Sequence, residues 1–142
     1  MADTPIEELD AMRVHNMMEV NLFGTFYGSR AALRHMQKQG NGGTIVNILS
    51  TRSLDARAGQ AGYTASKFAA SGFTKALRLE ATPYGIKVIA VYSGGMKTAL
   101  FDKKRPADYG EFMEPADVAR RIKENLERET PEEEMILKRP GK

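Results

Sequence analysis

Two stretches of the chain are apolar and β-branched over a strand's length: TIVNILS at 44–50 and IKVIAVYS at 86–93. The segments around them follow a helical period. Ahead of the first stretch, apolar residues recur through Leu9, Met12, Met17, Val20, Phe23, Ala31 and Leu33. That spacing predicts a helix reaching about Gln39, with room for one break. Its start reads from DTPIEEL, where Thr4 can cap, Pro5 suits the first helical position and Glu7 completes a capping box. QGNGG at 39–43 stops it. A second helix is predicted from Tyr63 to Thr82, ended by Pro83 and Gly85. EPADVARRIKENLER predicts a third, with Val118, Ala119, Ile122 and Leu126 as its apolar stripe. MILK, at 135–138, predicts a short third strand. Residues 51–62 read as a loop. Residues 96–113 have no clear period but carry Phe101, Tyr109, Phe112 and Met113, which suit a lid or a packed core equally.

Helix and strand therefore alternate three times. This order predicts an α/β fold, a partial doubly wound parallel sheet of about three strands covered by helices, with residues 1–142 as one domain. In such sheets ligands sit beyond the carboxyl ends of the strands. Ser50, the loop leading to Tyr63, and SGGMKT after the second strand all fall on that edge.

Composition narrows the chemistry. Of the 142 residues, 42% are hydrophobic and 27% charged, the balance of a globular chain, with cytoplasm as the default location. The 21 basic residues exceed the 18 acidic ones only slightly and are dispersed, which does not suggest a nucleic-acid partner. The absence of cysteine excludes disulfides, thiolate catalysis and zinc–thiolate sites. His15 and His35 lack a second ligand at metal-site spacing, so no metal is expected. No apolar run has the length of a membrane span, and no signal-peptide pattern opens the chain.

Tyr63 and Lys67, at i and i+4, share a helical face. By composition such a pair arises by chance in roughly one chain in four or five of this size, so its neighbours must decide. A free phenol titrates near 10 and is a poor acid or base at neutral pH. A nearby ammonium and the positive end of a helix dipole both favour phenolate. Ser50, ending the preceding strand, could hydrogen-bond a substrate oxygen as charge develops on it. These groups suit proton transfer at a carbonyl or alcohol oxygen, whereas a hydride would have to come from a cofactor.

Taken in order, the motifs resemble those of the short-chain dehydrogenase/reductase family. MEVNLFGTFYGSRAAL is similar to the family's fourth-helix motif, GGTIVNILS to the strand ending in its serine, YTASK to its Tyr-x-x-x-Lys core, and GIKVIAVYSGGMKT to the next strand and its Pro-Gly motif. The resemblance implies an oxidoreductase using NAD or NADP on a small carbonyl or alcohol substrate. Tyr63 would be its acid/base, Ser50 would hold the substrate oxygen, and Lys67 would bind the nicotinamide ribose and lower the phenol's pKa. Asn21 would position a water in the proton path, while Gly94, Gly95 and Thr98 would approach the nicotinamide.

The chain also departs from the family pattern. Ser93 stands where the family has proline. Neither GNGG nor GQAG fits the family's glycine-rich pyrophosphate loop, and its Asn-Asn-Ala-Gly motif is missing. The sequence reads as the second half of a dehydrogenase, with weak cofactor binding expected. Two functions stay open: an oxidoreductase completed by a longer form or a complementing chain, and a catalytically silent remnant acting by self-association. A homo-oligomer is expected through the helices at 17–38 and 63–82 or through the strand edge at 44–50. Each residue also has a plainer reading. Asn21 could face solvent, Ser50 could simply end a strand, Gly94 and Gly95 could form an ordinary turn, and Ala65, Ser66, Ala69 and Ala70 could serve close helix packing.

Overall fold

The computed structural model describes residues 4–102 and 105–139. A 3-10 turn (Ile6–Glu8) leads into helix α1 (Ala11–Met18), a π-helical turn (Glu19–Phe23) and helix α2 (Gly24–Gln39). Strand β1 (Gly43–Ser50), helix α3 (Ala61–Ala81), strand β2 (Ile86–Ser93), helix α4 (Pro115–Leu126) and strand β3 (Glu134–Leu137) follow. The strands form one parallel sheet in the order β1-β2-β3, with Ser50 opposite Ser93 and Ser93 opposite Leu137.

The central strand explains the layering. Every residue of β2 except Lys87 is buried, as a parallel strand covered on both faces must be. One face packs Ile45, Val88, Leu77 and Ala81 with Leu33, Met36 and Phe73 of α2 and α3. The opposite face packs Ile89, Val91, Met135 and Leu137 against Val118 and Ile122 of α4. On the α2/α3 side the core carries a polar bridge: Ser29 donates to the Asn47 carbonyl oxygen (3.1 Å), and the Asn47 amide donates to Thr74 (3.1 Å). A buried amide in a strand is tolerable because both of its ends are satisfied.

The chain's start differs from the sequence reading. Thr4 does not cap a helix; its hydroxyl accepts from Arg13 (3.3 Å) and its N–H donates to Gly59 (2.8 Å). Asp10 caps α1 instead, accepting from the Met12 N–H (3.0 Å), because Leu9 adopts an extended conformation and ends the preceding turn. Leu9, Val14 and Met17 crowd Gly62, where a Cβ would lie 3.2 Å from Val14. Met12 and Val20 are exposed, and the π turn shifts the apolar phase of the residues that follow it. Helix α3 starts two residues earlier than expected, α4 stops at Leu126, and β3 runs one residue earlier, from Glu134.

Two side chains fasten β3. Asn125, buried on α4, donates to the Glu132 carbonyl and accepts from the Glu132 N–H, both at 2.9 Å. Arg78 of α3 donates to the carbonyls of Val88 and Glu133, both at 2.8 Å, and pairs with Glu134 at 3.2 Å. With only 15% of its side chain exposed, Arg78 spans three elements. Arg78→Met should therefore cost about 2 kcal/mol in urea unfolding. Amide hydrogen exchange should accelerate first at Met135–Leu137.

Candidate functional site

Pairing Ser50 with Ser93 sets the ends of β1 and β2 level, so the residues that follow each strand share one edge of the sheet. After Ser50 the chain makes a 3-10 turn, Thr51–Ser53, which packs against α3. The Ser50 hydroxyl caps that turn by accepting from the Arg52 N–H (3.1 Å). Tyr63 stands in the first turn of α3, with its phenol in side-chain hydrogen bonding with Ser50. Lys67, one helical turn on, places its ammonium 5.7 Å from the Tyr63 ring centroid. Ser50, Tyr63 and Lys67 thus come together.

The electrostatics differ from the sequence expectation. Burial pushes the Tyr63 phenol above the ordinary tyrosine value, and the Ser50 hydrogen bond and the Arg52 charge pull it only part of the way back. Lys67 lies over the Tyr63 ring. Its own ammonium is held below the usual lysine value by burial. Among the described residues Lys67 has no hydrogen-bond or ion-pair partner beyond the ring contact. Arg52, which sequence reasoning did not single out, is the nearby charge acting on the phenol; its side chain is 29% exposed and pairs with Asp55 at 3.3 Å. A basic residue two positions past a strand gives no sequence signal of this role.

Asn21 does not join the cluster directly. It lies in the π turn, and its amide donates to Ser66 (3.0 Å). Gly94, Gly95 and Thr98 follow β2 on the same edge as Ser50. The Gly94 N–H donates to the Leu137 carbonyl (2.9 Å), and Thr98 precedes the 3-10 turn Ala99–Phe101. Gly95 is required by packing, since a Cβ there would fall 2.6 Å from the Phe112 ring. Phe101, Tyr109 and Phe112 pack on one another with centroids 5.2 to 5.9 Å apart. Arg139 ties their segment down through Asp108 (2.9 Å) and Glu111 (3.0 Å). A groove of about 390 Å³ lies elsewhere, between α2 and the unpaired edge of β1, lined by Gly24, Gly28 and Ile45. Among the described residues no helix is long and apolar enough to cross a membrane, and no group of acidic or histidine side chains could hold a metal.

Residues 1–108 match the family model described as short chain dehydrogenase. Over 97 residues, 68% of this chain, the sequence is 39% identical to a 3-alpha-(or 20-beta)-hydroxysteroid dehydrogenase of Mycobacterium bovis, a match covering 37% of that protein. It is 36% identical over 75% of the chain to 3beta-hydroxysteroid dehydrogenase 2 of Eggerthella lenta, covering 41% of that protein. The fold superposes with TM-score 0.81, at 28% identity, on a short chain dehydrogenase from Burkholderia cenocepacia solved with NADP, covering 96% of this chain and 54% of that one. The chain thus spans under half the length of these curated relatives and about half that of the solved structure. Together with the convergence of Ser50, Tyr63 and Lys67, these matches establish that the chain belongs to the short-chain dehydrogenase/reductase family of oxidoreductases.

Proposed function

We propose that this chain carries the proton-transfer half of an NAD(P)(H)-dependent oxidoreductase acting on a small carbonyl or alcohol substrate. The observation that carries this reading is the half-buried Lys67 ammonium without an acceptor, set one turn from a phenol bonded to Ser50. An unpaired, desolvated cation is costly, and the hydroxyls of a nicotinamide ribose would satisfy it. The residues present therefore fit the nicotinamide end of the cofactor, with Lys67 on the ribose and Gly94, Gly95 and Thr98 beside the ring. Bound nicotinamide would supply or accept the hydride.

Ser50 accepts from the Arg52 N–H, and its own proton is left to donate to the phenol oxygen or, with substrate bound, to the substrate oxygen. Tyr63 gives that oxygen its proton in reduction and takes it back in oxidation, and Lys67 stabilises the phenolate left behind. Asn21 holds a water on the route by which Tyr63 is reprotonated. Among the described residues no glycine-rich turn leads from a strand into a helix N-terminus, so the chain alone holds the cofactor weakly.

The second reading, a silent chain that self-associates, is favoured by exposed apolar side chains: Val20 at 74%, Tyr27 at 59%, Phe68 at 45%, and Ile48 at 47% beside the unpaired edge of β1. These lie on the helices and strand expected to pair two copies, where exposed apolar side chains support an interface. Light scattering should report a dimer or larger species, and Phe68→Glu should shift it toward monomer. A clean monomer at high concentration would remove this reading.

Calorimetry with NAD(H) and NADP(H) should show no micromolar binding by the chain alone; micromolar affinity would overturn the weak-binding proposal. In the completed enzyme Tyr63→Phe should lower kcat by at least about 100-fold with little change in cofactor affinity. Unaltered turnover would sink the role given to Tyr63.

The two shifted groups also predict opposite slopes of stability with pH. Between about 10 and its own raised value, Tyr63 keeps a proton in the folded chain that the unfolded chain has released, so stability falls as pH rises. Between its lowered value and about 10.4, Lys67 has released a proton that the unfolded chain keeps, so stability rises with pH. Urea unfolding across pH 8 to 11 should show Tyr63→Phe losing less stability than the parent above about 10. Lys67→Met should flatten the rise below it.

A further inference from the structure

We propose that Ser66 is a positioning residue for Tyr63, tying the π turn that carries Asn21 to the first turn of α3. Ser66 is fully buried, and its hydroxyl makes two bonds that run in sequence. It donates to the Tyr63 carbonyl at 2.7 Å and accepts from the Asn21 amide at 3.0 Å. Asn21 is also held through its backbone, whose carbonyl accepts from the Thr25 hydroxyl at 2.8 Å. The backbone there is unusual, because the Gly24 N–H reaches back five residues to the Glu19 carbonyl. Such π turns are rare and concentrate at functional sites.

The consequence concerns aim. Tyr63 reaches Ser50 from the end of a helix, where backbone groups fray. A serine bonded back to the carbonyl three residues earlier alters the setting of that turn. Anchoring the same hydroxyl to Asn21 fixes the turn against a second element, 45 residues away in sequence. A residue serving only as a small spacer for close packing would need neither bond. The two bonds of Ser66 go to the Asn21 amide and the Tyr63 carbonyl, not to the charged groups at the phenol, Arg52 and Lys67.

This inference rests on the proposed role of Tyr63, but its test does not read turnover. The full chain is prepared with 3-fluorotyrosine, whose phenol titrates below that of ordinary tyrosine, and followed by 19F NMR. Tyr63→Phe identifies the Tyr63 resonance among the five tyrosines. Ser66→Ala should raise the Tyr63 midpoint by about half a pH unit as the Ser50 hydrogen bond loosens, leaving the other tyrosines in place. Asn21→Ala should do the same from the opposite side, and the double variant should add nothing further. Ser66→Thr, which keeps the hydroxyl, should retain the parent midpoint. A Tyr63 midpoint unmoved in Ser66→Ala, even with a lowered Tm, would overturn the proposal and leave Ser66 as packing alone. Should Ser66→Ala not fold, an unmoved midpoint in Asn21→Ala would overturn it equally. The role of Tyr63 itself fails separately, through unaltered turnover in Tyr63→Phe.

Discussion

The parallel pairing of β1 with β2 sets Ser50 level with Ser93, and the rest of the site hangs on that register. Slipping β1 by one residue would turn Asn47 from its bridge with Ser29 and Thr74 toward the α4 face, where Ile89, Val91, Val118 and Met135 form an apolar cluster. The same slip would carry the Ser50 hydroxyl away from Tyr63. A buried amide that can be satisfied in only one register therefore keeps a hydroxyl at the strand's end in place. The cost of breaking that bridge is of the order of 1–3 kcal/mol for each group stranded.

Around this fixed edge the site gathers side chains with unequal hold. Ser50 is clasped by the Arg52 amide and Tyr63 by the Ser66 tether, whereas the Lys67 ammonium is poised without an acceptor. The phenol is held above its ordinary value, because burial outweighs the nearby hydroxyl and guanidinium. The pull toward phenolate comes first from the Ser50 hydroxyl and then from Arg52, at a strand's end and on a turn, rather than on the helix that carries the tyrosine.

The strands were legible in the sequence because TIVNILS and IKVIAVYS leave no other period to follow, and the Ser50-to-Tyr63 spacing together with YTASK made the edge recognisable. The chain's start was not legible. Thr4, Pro5 and Glu7 satisfy a capping pattern, but local capping was overridden by Leu9, Val14 and Met17 closing on Gly62. Arg52 and the Asn21–Ser66 contact were invisible for a different reason. Each is a relation between segments distant in sequence, and no spacing within either segment encodes it. Gly95 was noted as a possible approach to a ligand, yet Phe112 alone is enough to require it.

The π turn at Glu19–Phe23 has a geometric consequence of its own. A residue inserted into an α-helix advances everything beyond it by about 100°. Residues 11–39 form a continuous helical run that presents one side to Gly62 of α3 through Val14 and Met17, then another to β1 through Ser29 and Met36. A uniform α-helix would have to choose between these neighbours. The extra residue works as a phase shifter, letting a single rod address two surfaces that lie at different bearings around it. It also places Asn21 at the point where the bearing changes.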